Sequence, residues 1–102
     1  MNSENGLFLE KYGKEIFIVM PAFNEAQTIE KVMGELIPKG LQLVVVDDGS
    51  NDKTYSIVKK VEKKYPEQVH LYRHPINRGL GAAILTGLEA SLLANPMVIV
   101  TF

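Results

Sequence analysis

Three features of this 102-residue chain predict an α/β domain built on a mostly parallel sheet. Four short apolar runs alternate with three stretches of helical periodicity. The runs are apolar on both faces, and polar, turn-forming clusters follow the first two of them.

The runs are Ile16 to Met20, Leu41 to Val46, Val69 to Tyr72 and Val98 to Val100, each rich in the β-branched or aromatic residues that suit a pleated surface. Between them apolar residues recur at helical steps: Ile29, Val32, Met33, Leu36 and Ile37; then Thr54, Ile57, Val58, Val61 and Tyr65; then Leu80, Ile84, Leu88 and Ser91. That spacing turns one side of a helix toward a core. The order is therefore βαβαβαβ. A stretch such as Leu-Val-Val-Val, residues 43–46, is apolar on both faces, as in parallel strands covered by helices on each side, which makes three layers. Right-handed crossovers connect such strands.

Boundaries are written in capping and breaking residues. Asn24 with Gln27 three positions on has capping-box spacing for the first helix, and the Ser50, Asn51, Asp52 cluster precedes the second. Pro38 with Gly40, Tyr65 with Pro66, and Asn95 with Pro96 end the helices, because proline removes a donor and glycine permits a left-handed turn. Residues 1–14 fit neither a strand nor a strong helix and are expected as a flexible arm, with the domain over 15–102. The stretch Met1 to Glu15 has neither the basic start nor the long apolar run of a signal peptide.

Composition narrows the function classes. A hydrophobic share of 46% and a charged share of 23% are those of an ordinary globular unit, and 102 residues leave room for one core. Eleven basic against twelve acidic residues, with no basic stripe interleaved with aromatics, make nucleic acid an unexpected partner. The lysines of Lys59 to Lys64 read as a solvated helix face. The absence of cysteine excludes disulfides, thiolate catalysis and cysteine-bound zinc, and is compatible with a cytoplasmic address.

In open parallel sheets ligands bind beyond the carboxyl ends of the strands. Asp47 and Asp48 sit there, between an apolar run and Gly49, Ser50, Asn51 and Asp52. They could make a tight turn, hold magnesium, accept a phosphoryl group or hold a sugar or nucleotide. Asp-Asp-Gly-Ser is good turn chemistry, but a turn needs one acid, and two at a strand's carboxyl edge concentrate charge. A phosphoacceptor pair would follow the first strand, with a further aspartate ending the third, which here ends in His74 and Pro75. His70 and His74 stand roughly 13 Å apart if extended, too far to share a metal. Asn77 to Ala83, with Gly79 and Gly81 at a helix start, could meet a phosphate through free N–H groups, although close helix packing explains the glycines equally well. Arg78 adds a planar donor suited to a diphosphate or to a surface ion pair.

Taken together, Ile18 to Ile29 (IVMPAFNEAQTI), Leu43 to Thr54 (LVVVDDGSNDKT) and Asn77 to Leu88 (NRGLGAAILTGL) resemble the N-terminal, nucleotide-binding half of GT-A fold, family two glycosyltransferases. The group most resembled is the dolichol- or polyprenyl-phosphate mannose synthases. The resemblance runs from Ile16 to Phe102 and implies a Rossmann-like sheet in strand order 3-2-1-4. It implies that Pro21, Ala22, Phe23 and Glu25 line the pocket for base and ribose, with phenylalanine where the family usually has tyrosine. Asp48 is implied as a nucleotide contact, Asp47 as a supporting residue, and Arg78 and Gly79 as neighbours of the nucleotide or its diphosphate. The implied donor is a GDP- or UDP-linked sugar and the implied acceptor a polyprenyl phosphate, at the cytoplasmic side of a membrane. Family members continue from a strand like the last one here into an Asp-x-Asp motif that holds Mg or Mn. Without that motif the resemblance implies no catalytic residue and no stably bound metal in this chain, and no activity alone. A last strand at the sheet's margin also offers an apolar edge for pairing with another copy.

Overall fold

The computed structural model describes residues 3–102. Its sheet has four parallel strands, β1 (Ile16–Ala22), β2 (Gln42–Asp48), β3 (Val69–His74) and β4 (Val98–Thr101), in the order β3-β2-β1-β4. This is the α/β class and the 3-2-1-4 order that the sequence implied. The helices are α1 (Ser3–Tyr12), α2 (Ile29–Leu36), α3 (Thr54–Lys64) and α4 (Leu80–Leu92).

Alternation along the two central strands divides their side chains between two layers. Ile18, Met20 and Ala22 of β1, with Leu43 and Val45 of β2, form one core with Ile29, Met33 and Val58 of α2 and α3. The residues between them face α4. There Val19 is fully buried, and a Cβ added at Gly87 would lie 2.3 Å from its Cγ1. Glycine is what lets α4 lie so close to β1. The helix also exposes Leu85 and Leu92, and Leu93 just beyond its end is exposed as well.

Two local expectations change. Within the stretch read as an arm, residues 1–14, the chain forms α1 from Ser3 and a short 3-10 turn at Gly13–Glu15, and Leu9 packs against the core; residues 1 and 2 lie outside the described residues. Asn24 does not cap α2. It adopts a left-handed φ of 53° four residues before the cap position, Thr28, and its side chain bonds elsewhere. Local spacing suggested a cap, but a tertiary partner across the sheet end takes the amide.

Candidate functional site

The loops after β1 and β2 are stitched together at the carboxyl ends of the strands. The Asn24 N–H donates to Ser50 Oγ at 2.9 Å, and Asn24 Oδ1 accepts from the Asn51 N–H at 2.9 Å. One residue on, the Glu25 N–H donates to Thr54 Oγ1 at 2.8 Å. Asp52 accepts from the Thr54 N–H and hydroxyl and, at 3.2 Å, from the Ala26 N–H. These bonds, the Thr54 hydroxyl foremost, hold the Asp52 carboxyl below its usual range. Thus the Ser50-Asn51-Asp52 cluster serves two loops at once, ordering the start of α3 and pinning the Asn24–Ala26 segment.

Asp47 and Asp48 are neighbours in sequence but not in space. Consecutive strand residues point to opposite faces, so Asp47 turns toward the α3 layer and Asp48 toward α4. Asp47 is fully buried; its Oδ1 accepts weakly from the Ser50 N–H at 3.4 Å. Its Oδ2 lies 3.4 Å from Arg73 Nε, an ion-pair separation without hydrogen-bond geometry. The same guanidinium stacks over the Tyr55 ring at 4.3 Å.

Asp48, 4% exposed, gathers three donors. Oδ1 accepts from His74 Nδ1 at 2.8 Å and from the Arg78 N–H at 2.9 Å, and Oδ2 accepts from the Gly79 N–H at 2.8 Å. Burial pushes the carboxyl upward, but the bonds from Arg78, His74 and Gly79 outweigh it and leave the pKa lowered. Asp48 is therefore an anion at neutral pH that ties the loop before α4 to the end of β2. Gly79 takes a φ of 98° there, so its turn, not close packing, requires glycine; nothing lies within 4 Å of a Cβ added at Gly79 or Gly81. The close approach belongs to Gly49, φ 75°, whose added Cβ would fall 2.5 Å from the Asn77 nitrogen.

The space between these loops is a cleft of about 260 Å³ lined by Pro21, Ala22, Phe23, Glu25, Asp48, Asn77, Gly79, Leu80 and Ala83. Six of the eight residues singled out in the sequence, Pro21, Ala22, Phe23, Glu25, Asp48 and Gly79, share this lining. Asp47 does not, because the pleat sends it through the sheet. Arg78 does not either; it is exposed, and its contribution is a backbone N–H to Asp48. Asn77 belongs to the segment that the sequence placed at this edge, whereas Leu80 and Ala83 were not singled out as pocket residues, nor were His74 and Thr86 behind Asp48. Only the strand-end position of His74 hinted at its role. A groove of about 270 Å³ between α2 and α3, lined by Glu30, Lys60 and Lys64 among others, is similar in size but lies away from the strand ends. It gathers no comparable set of fixed polar groups.

Residues 17–100 match the model of glycosyl transferase family 2. The chain belongs to that family. Among this family member's relatives, an uncharacterised protein of Methanocaldococcus jannaschii is 45% identical over 103 residues, covering all of this chain and 40% of the relative. The UDP-N-acetylglucosamine–dolichyl-phosphate N-acetylglucosaminyltransferase of Methanococcus voltae is 32% identical, over 87% of this chain and 40% of its own length. A solved mannosyltransferase of Pyrobaculum calidifontis, in complex with GDP-mannose and Mn2+, superposes with a TM-score of 0.67 at 28% identity, covering 74% of this chain and 24% of that one. This family 2 chain thus spans at most about 40% of the curated relatives it matches first.

A divalent cation does not fit the residues present. Among the described residues no group of three or more His, Asp or Glu could hold a metal. Asp47 and Asp48 face opposite sides of the sheet, so they cannot share a cation, and three donors leave Asp48 at most one open position.

Proposed function

We propose that this chain is the nucleotide-binding portion of a glycosyltransferase that takes a hexose from a GDP- or UDP-linked donor and passes it to a polyprenyl or dolichyl phosphate. One observation carries the reading: three separate sequence segments converge on the cleft between β1, β2 and α4, with an exposed aromatic ring beside two carboxyl side chains, of which Asp48 is held by three donors. Phe23 is 41% exposed and offers a stacking face for a base. Glu25 and Asp48 present carboxylates for N–H and hydroxyl donors of base and ribose. The relatives' lipid-phosphate acceptors support work at a membrane surface, with the full-length protein peripheral at the cytoplasmic side. Use of Mg or Mn belongs to the full-length protein, supported by the Mn2+ of the solved relative.

Titrating the 102-residue chain with GDP and UDP, with and without Mn2+, tests this. Backbone resonances of Phe23 and Asp48 should shift. Phe23→Ala should weaken binding roughly tenfold, since base stacking on an aromatic ring contributes about 1–3 kcal/mol. Unmoved resonances at both residues would overturn the reading. The chain alone should transfer no sugar, and detectable metal-dependent transfer would contradict that.

A second reading, self-association, has its own support in the unequal sheet edges. On β3 the Leu71 N–H is covered by Glu62 Oε2 at 2.8 Å. On β4 and beside it Met97, Val98, Val100 and Phe102 are all more than 40% exposed. An open apolar edge invites strand pairing. Light scattering should then show dimers at high concentration, and a strict monomer would remove this reading.

A further inference from the structure

His74 and Thr86 take no part in lining the cleft, yet they complete a chain of bonds that ends on its one buried carboxylate. His74 is 6% exposed. Its Nδ1 meets Asp48 Oδ1 at 2.8 Å and its Nε2 meets Thr86 Oγ1, on α4, at 2.7 Å. Ionised Asp48 can only accept, so Nδ1 carries the proton, and in the neutral ring Nε2 accepts from the Thr86 hydroxyl. The imidazole is thereby locked between the sheet and the helix with its proton directed at Asp48.

The consequence follows from counting acceptor positions. A carboxylate has about four, two on each oxygen. His74 and the Arg78 N–H occupy both on Oδ1, and the Gly79 N–H occupies one on Oδ2. One position, on Oδ2, is left for a ligand. A uracil-type base offers a single imide N–H, which one position satisfies. Guanine offers a ring N–H and an adjacent amino group, a paired donor that asks for both oxygens of a carboxylate.

Resting on the nucleotide-binding reading above, we propose that His74, held by Thr86, is a positioning residue that makes Asp48 a single-acceptor reader, so that the cleft prefers a uracil-type base to guanine. Calorimetric titration of the 102-residue chain with UDP and GDP tests it. UDP should bind about tenfold tighter, the factor that corresponds to one unpaired donor of about 1.4 kcal/mol. His74→Ala frees Oδ1, so the GDP-to-UDP ratio of dissociation constants should fall severalfold toward one. His74→Asn, whose amide can still donate to Asp48, should keep the ratio near that of the unmodified chain. A merely structural role would weaken both nucleotides together and leave the ratio unchanged, and that result overturns the proposal. So would GDP binding as tightly as UDP to the unmodified chain. If His74→Ala fails to fold, 15N spectra of the unmodified chain still decide, since Nδ1 must be the protonated nitrogen and the reverse tautomer refutes the lock. Binding of neither nucleotide removes the parent reading and this one with it, whereas equal binding of both removes this one alone.

Discussion

Asp48→Asn changes two atoms' chemistry and almost no volume, and its cost can be worked from the three donors around the carboxylate. Those donors are His74 Nδ1–H, Arg78 N–H and Gly79 N–H. An amide carries one oxygen and one NH2. In its better orientation the oxygen replaces Oδ1 and keeps the His74 and Arg78 bonds, while the NH2 points at the Gly79 N–H. One charge-assisted bond, about 1.5–3 kcal/mol, is lost, and the remaining two fall to neutral strength, about 1 kcal/mol. Some of this is recovered by water entering from the cleft, so the expected loss is about 3 kcal/mol. Against a typical stability of roughly 5–10 kcal/mol for a small domain, that is a large fraction. Urea unfolding followed by circular dichroism should show the midpoint falling by about 2 M, taking a slope of roughly 1–1.5 kcal/mol per molar. The acid limb provides a second reading of the same bonds. The folded-state pKa of Asp48 is lowered, so its contribution is present above the unfolded value and is lost as pH falls through the folded one. Asp48→Asn should therefore flatten the loss of stability below about pH 4. A midpoint within about 0.5 M of the unmodified chain, with an unchanged acid limb, would refute the idea that Asp48 anchors the loop before α4.

Three further outcomes follow from the packing. Gly87→Ala should destabilise by about 1–3 kcal/mol through overpacking, less the roughly 1 kcal/mol that alanine gains in helix propensity, because its Cβ falls 2.3 Å from Val19 Cγ1. Thermal melts of the Val19→Ala/Gly87→Ala double mutant should show a smaller loss than the two single changes summed, and simple additivity would disprove the contact. Gly49→Ala meets the immovable Asn77 nitrogen at 2.5 Å and a φ of 75°, so it should cost at least about 2 kcal/mol and shift the Asn77 and Arg78 amide resonances. Arg73→Ala leaves the buried Asp47 carboxylate without its ion-pair partner and should cost about 2 kcal/mol. Adding Asp47→Asn should restore part of that loss in the same denaturant assay, and no restoration would mean that Arg73 acts only through its stacking on Tyr55.

The fold and the outline of the cleft were legible in the chain because their causes are local. β-branched runs, helical spacing and proline or glycine stops set which segments are strands and helices, and a parallel arrangement puts the segments after the strands at one end of the sheet. Those local causes placed the segments around Phe23, Asp48 and Gly79 at one end of the sheet, and the family resemblance then implied Pro21, Phe23, Glu25, Asp48 and Gly79 as its pocket residues. Pairwise geometry across the sheet lay beyond that reading. Adjacent aspartates look like a pair in sequence, but the pleat sends Asp47 to Arg73 and Asp48 to His74. Asn24 looks like a helix cap until the loop after β2 comes within reach of its amide. In sequence Gly79 and Gly81 fit a phosphate contact or close packing equally well, whereas the helix meets the strand at Gly87. His74 and Thr86 stand 26 and 38 residues from Asp48, and only the stacking of α4 on the sheet brings them into one line of bonds. Sequence by itself determined the order of elements and which end of the sheet would carry polar groups. Tertiary structure alone decided which of those groups face the same side, because side-chain direction and long-range contact are properties of the packed sheet and not of the chain.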